Sequence, residues 1–135
     1  MVEDQKKDFL VGFLLENFPD IKAIYLFGSS MTSDRRSKGD LDLAVLSKDP
    51  IPSWERWKAA QELAAQLKID IDLVDLKRAS TVMQLQVISS GQCLYEQRAE
   101  ERARYENNVF SAYARLNEER KGILEDVFAR GSVYG

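Results

Sequence analysis

Between Leu26 and Leu46 the chain reads LFGSSMTSDRRSKGDLDLAVL. An apolar, β-branched and aromatic run breaks on Gly28-Ser29, crosses a polar loop, and resumes with Asp40-Leu41-Asp42 at the head of a second apolar run. Residues 21–27 and 41–46 have strand composition, so the core of this chain contains a sheet. Aspartate is poorly placed in a strand. Alternation puts Asp40 and Asp42 on one face of their strand, with Leu41 and Leu43 on the other. Two carboxylates on one face repel each other unless a cation lies between them, and hard oxygen ligands suit magnesium, which pairs one or two carboxylates with the phosphates of a substrate. The glycine lets backbone approach a ligand closely, and free N–H groups where a strand turns into a helix favour an anion. The stretch therefore predicts a phosphate seat beside a metal site.

The rest of the chain supports an α/β reading. Apolar residues at Phe9, Leu10, Phe13, Leu14 and Phe18 predict a helix over 2–18, ended by Phe18-Pro19. Ser53 is placed to cap a helix over 54–67, with Trp54, Trp57, Leu63, Ala64 and Leu67 on its inner side. The two tryptophans are expected to pack within the fold and not to form a base-stacking platform. Residues 69–76, IDIDLVDL, alternate apolar and acidic side chains and predict a third strand. Asp70 and Asp72 share a face of it, and a neighbouring strand would bring one of them beside the Asp40/Asp42 pair. Asp70 and Asp75 otherwise suit solvated or capping positions. Ser80 caps a helix to about Ile88, Gly91 ends it, and 92–96 form a short last strand.

A single helical pattern then runs from Arg98 to Arg130, with Gly131 at the position of a C-terminal cap. It spans about 50 Å, more than the preceding ninety-odd residues can cover. Tyr105, Val109, Ala112, Tyr113, Leu116, Ile123, Leu124, Val127 and Phe128 make its apolar stripe, part of which is expected to project and dock a partner. The division is thus a core over 1–96 and a packing and docking helix over 97–135, within one domain. The chain is 135 residues long and 44% hydrophobic, enough for one core and too little for two.

Composition removes several chemistries. With no histidine and only Cys93, the usual zinc sites, disulfide frameworks and Ser-His or Cys-His nucleophile pairs are excluded. Cys93 is expected as a small buried residue. A net charge of −3 disfavours general nucleic-acid binding. A charged N-terminus without an apolar stretch shows no signal peptide, and no run reaches membrane-spanning length. The expectation is a cytoplasmic protein with no membrane contact and no direct nucleic-acid binding.

Gly28-Ser29, ten intervening residues and Asp40-x-Asp42, followed by an acidic third strand, resemble the signature of the nucleotidyltransferase superfamily related to DNA polymerase β. The small size and the helical tail further resemble the minimal nucleotidyltransferases found beside HEPN-domain ribonuclease toxins. The resemblance implies a minimal polymerase-β-like core, with a small mixed sheet flanked by helices. It implies Asp40, Asp42 and Asp72 as catalytic residues and ligands of magnesium, two ions in number, and Gly28 and Ser29 at the nucleotide. Many members carry arginine directly after Gly-Ser; here Ser30 stands there, which leaves phosphate contacts to Arg35, Arg36 and Lys38. The implied activity is transfer of AMP from ATP to a tyrosine of a partner HEPN ribonuclease, which is thereby silenced. A further domain for tRNA, poly(A) or an antibiotic is missing, which favours a protein acceptor. Two readings stay beside it: an antitoxin that masks its toxin by binding alone, and a small-molecule nucleotidyltransferase of the aminoglycoside type.

Overall fold

A computed structural model describes residues 4–28 and 40–129, with side chains up to residue 123. The order is α1 (Asp4–Asn17), β1 (Ile21–Phe27), β2 (Asp40–Ser47), α2 (Ser53–Leu67), β3 (Asp70–Asp75), α3 (Thr81–Ser90), β4 (Gln92–Glu96) and α4 (Ala99–Ala129). The four strands form one sheet in the order β3-β2-β1-β4. β1 pairs antiparallel with β2 and β4, whereas β2 and β3 are parallel. Parallel neighbours need a crossover, and α2 supplies it.

Strand alternation divides the core into two layers. Ile24, Leu26, Leu41, Leu43 and Leu73 meet Leu10 and Leu14 of α1 and Ala59, Ala60 and Leu63 of α2. On the other face Ala23, Tyr25, Phe27, Ala44 and Leu46 meet Val87 of α3 and Tyr105 of α4. Ser80 caps α3 as its position suggests, its hydroxyl accepting from the Met83 amide at 3.1 Å.

Two expectations fail locally. Ser53 is the first residue of α2; Pro52 holds the cap position, and no side chain caps it. Trp54 and Trp57 are each 65% exposed. The buried face of α2 is Ala59, Ala60 and Leu63, and at 100° per residue Trp54 falls nearly opposite it. Small alanines bring the helix close to the sheet, and that spacing outranks the bulk of the indoles. Of the two settings that suit Asp75, the capping one holds: it is 3% exposed and accepts from the amides of Ile51 at 2.8 Å and Lys77 at 3.0 Å. Cys93 is half-buried, and burial pushes its thiol pKa up.

α4 is one helix of 31 residues, about 46 Å long. Its first half is fastened to the core. The Tyr25 hydroxyl donates to Glu106 at 2.7 Å, Arg102 bridges Glu96 (2.6 Å) and Glu106 (2.7 Å), and the Tyr105 hydroxyl donates to Gln84 at 2.8 Å. Val109 is buried, while Tyr113 and Leu116 are half-buried. Phe110 is 46% and Ile123 64% exposed, so the helix beyond Val109 leaves apolar surface in water. The expected cap at Gly131 lies outside the described residues.

Candidate active site

The acidic residues gather at one end of the sheet because of strand direction and register. β1 ends where β2 begins, with Phe27 opposite Asp42. Since β3 is parallel to β2, its first residues lie at the same end, with Asp40 opposite Asp70 and Asp42 opposite Asp72. Directly paired residues share a face, so all four carboxylates stand on the α3/α4 side of the sheet tip. Adjacent strands are about 4.8 Å apart, which brings the stems of Asp42 and Asp72 side by side. Asp40 and Asp42 are half-buried and Asp70 and Asp72 exposed, so the group faces outward from a fixed base.

Gly28 completes this end. Its φ is +76°, a left-handed backbone that glycine adopts without strain. A Cβ there would strike the Asp42 carboxylate, whose Cγ lies 2.8 Å and Cβ 3.0 Å from the position it would take. Gly28 therefore lets the turn close over β2 with Asp42 tucked against it. Ser29, Ser30, Arg35, Arg36 and Lys38, the other expected nucleotide contacts, lie outside the described residues.

Asp40, Asp42 and Asp72 are hard oxygen donors on adjacent strand positions, which suits magnesium. Among the described residues no three acidic side chains converge closely enough to make a finished metal cluster. The fit to a cation lies in the backbone register and the donor chemistry, not in the present rotamers.

One feature of this end carries no signal in the sequence. A cavity of about 420 Å³ lies between the tips of β2 and β3 and the C-terminal end of α2, lined by Asp40, Asp70, Gln61, Lys68, Ala64 and Ala65. Lys68 caps α2 in the left-handed conformation, φ 59° and ψ 38°, with its amide donating to Ala64 at 2.7 Å. Glycine is the usual residue there, so composition alone gives no reason to expect a lysine.

The fold agrees with that of known proteins. A family model described as "Polymerase beta, Nucleotidyltransferase" matches residues 12–100. The protein adenylyltransferase MntA of Shewanella oneidensis is 38% identical over 120 residues, covering 89% of this chain and 86% of its own. A solved structure of tri-AMPylated Shewanella oneidensis HEPN toxin in complex with MNT antitoxin contains a chain 35% identical, with a TM-score of 0.78 over 94% of this chain and 99% of that one. A toxin–antitoxin crystal structure with AMP-PNP gives 36% identity and a TM-score of 0.79, covering 90% and 98%.

Proposed function

The chain belongs to the polymerase β nucleotidyltransferase family, and on that premise we propose that it is an antitoxin enzyme which transfers AMP from ATP to a tyrosine hydroxyl of a HEPN-domain ribonuclease. The observation that carries this reading is the register of Asp42 with Asp72 beside Asp40, at the strand end where Gly28 turns. The relatives named above supply the acceptor: one is a protein adenylyltransferase, and another sits with an AMPylated HEPN toxin.

The reaction is an in-line displacement. The tyrosine oxygen forms a bond to the α-phosphorus of ATP, the bond from that phosphorus to the α,β-bridging oxygen breaks, and pyrophosphate leaves. Gly28 keeps the β1 turn open to the phosphates. Ser29, Ser30, Arg36 and Lys38 are assigned to the same phosphates on the strength of the motif. Asp40, Asp42 and Asp72 would hold magnesium, two ions in the fully loaded site. When bound, magnesium neutralises phosphate charge and lowers the pKa of the attacking hydroxyl. Asp72, at the outer edge of the group, takes the hydroxyl proton. ATP as donor and a ribonuclease as target place the protein in the cytoplasm. Among the described residues no helix is long and apolar enough to cross a membrane.

The core over 1–96 carries this chemistry, and the helix over 97–135 docks the partner through the stretch beyond Val109, where Phe110 and Ile123 are exposed. Ribonuclease activity of the partner tests the whole reading. Incubation with this chain, ATP and magnesium should silence the partner, and the silence should persist after the chain is removed. Inhibition that needs no ATP and ends on separation would make this a masking antitoxin instead.

A further inference from the structure

We propose a second ligand site, for a phosphorylated ribose, in the cavity between α4 and the end of the sheet remote from the carboxylates. The cavity has a volume of about 220 Å³. Lys22 near the start of β1, Ser47 at the end of β2 and Lys77 just beyond β3 form its sheet side. Glu101, Arg104 and Asn108 form its α4 side. Lys22 and Gly28 flank opposite ends of β1, about 20 Å apart by strand rise. The site is therefore separate from the phosphate seat at the Gly28 turn. Because its walls belong to different elements, an occupant ties α4 to the sheet.

Charge defines what fits. Lys22, Lys77 and Arg104 bring three cationic heads to a cavity that holds one carboxylate, Glu101. The side chains of Lys77 and Arg104 have no hydrogen bond or ion pair among the described residues. Lys22 meets Glu101 at 3.8 Å, beyond hydrogen-bond reach. Such heads around a concave surface suit a phosphate, whose oxygens accept from several donors at once. Glu101 sets the second requirement. Its Oε2 is buried and accepts no hydrogen bond among the described residues. A buried acceptor left unsatisfied is costly. A bare phosphate ion repels that oxygen, whereas a ligand carrying hydroxyls beside its phosphate serves the cations and the carboxylate together. Size sets the third. Cavities for drug-sized ligands begin at about 300 Å³, so this one encloses a sugar and its phosphate and leaves a base at the mouth. The half-buried Tyr105 ring on the wall offers such a base an aromatic face.

Amide shift mapping by NMR on the full chain tests the site, with inorganic phosphate, ribose 5-phosphate and AMP as probes and no magnesium. AMP should shift the amides of Lys22, Ser47, Arg104 and Asn108. Lys77→Ala and Arg104→Ala should each weaken that binding about tenfold, the size of one charge-assisted hydrogen bond, and leave any shifts around Gly28 and Asp42 as they are. Both side chains are exposed, so their truncation leaves the fold intact. Glu101→Gln should raise affinity for inorganic phosphate and narrow the preference for AMP over it, since the repulsion and the strongest acceptor for a hydroxyl go together. AMP binding more tightly than ribose 5-phosphate assigns the site to a mononucleotide; equal affinity assigns it to a free sugar phosphate, and both uphold it. Inorganic phosphate binding as tightly as AMP would leave only an adventitious anion contact and overturn the ribose. Shifts confined to the Gly28 end, or unaltered affinity in both alanine variants, would overturn the site itself.

Discussion

Asp72 and Asp75 lie three residues apart on β3 and live in opposite circumstances. Asp75, at the far end, is 3% exposed, its oxygens taken by the amides of Ile51 and Lys77, with Arg78 Nε 3.6 Å away. It ties the loop before α2 to the end of β3. Asp72 is exposed and stands beside Asp42, with no fold-stabilising partner among the described residues. A carboxylate whose lone pairs are filled by backbone donors serves the fold, and one packed against other carboxylates destabilises the fold locally and serves a ligand.

Substitution should separate the two roles. Asp40→Ala or Asp42→Ala should cost several kcal/mol of transition-state stabilisation, on the order of 10³-fold in AMP transfer. In Asp40→Ala, stability should be unchanged or higher, because like charges are relieved. Asp75→Ala should do the reverse. The buried Ile51 amide and the part-buried Lys77 amide lose their acceptor, so urea denaturation should show a loss of about 1–3 kcal/mol while transfer per folded molecule persists. Near-normal transfer in Asp42→Ala, or unchanged stability in Asp75→Ala, would dissolve the contrast.

Gly28→Val meets both ends of the problem, since φ is +76° and the added Cβ would strike Asp42. Calorimetry should show ATP affinity falling by at least about tenfold, with a smaller loss of stability of about 1–2 kcal/mol from the backbone. Equal ATP affinity would remove Gly28 from the site. Within β3, Asp72→Asn should slow transfer strongly at unchanged ATP affinity, and Asp70→Asn much less. A reversed ranking would move the third carboxylate role two residues back along the strand.

The smallest effect concerns the fastening of α4. Burial, reinforced by the Glu106 carboxylate, raises the Tyr25 pKa well above its ordinary value. Below pH 10 the phenol is protonated in both folded and unfolded chains, so its contribution is complete there. Above that the unfolded chain ionises first, and stability should fall by about 1.4 kcal/mol per pH unit for this residue. Tyr25→Phe should flatten part of that slope in denaturation series from pH 9 to 11.

Much of this was legible in the sequence because it depends on period and punctuation. The alternation of Asp40-Leu41-Asp42-Leu43 and Asp70-Ile71-Asp72-Leu73 determines which residues share a face, and both strands occupy the expected segments. The pairing of Asp42 with Asp72 was not legible, since register between strands is settled by packing across the sheet. The outward turn of Trp54 and Trp57 was hidden for a related reason: side-chain size suggests burial, but the helix seats itself through Ala59 and Ala60. Asp75 suited a solvated or capping position, and sequence could not decide between them because it does not show the Ile51 amide that comes from 24 residues away. Lys68 gave no signal, as its interest lies in a backbone angle and an adjoining cavity.

If the Asp40, Asp42 and Asp72 end of the sheet moves AMP onto a partner protein, the partner's mass must change. Intact mass spectrometry of the HEPN ribonuclease after incubation with this chain, ATP and magnesium tests it most directly. The partner should gain the mass of one or more AMP groups, a gain lost when its acceptor tyrosine is replaced by phenylalanine and absent with Asp40→Ala or Asp42→Ala. An unmodified partner with the parent chain, or the same gain with either variant, would contradict it.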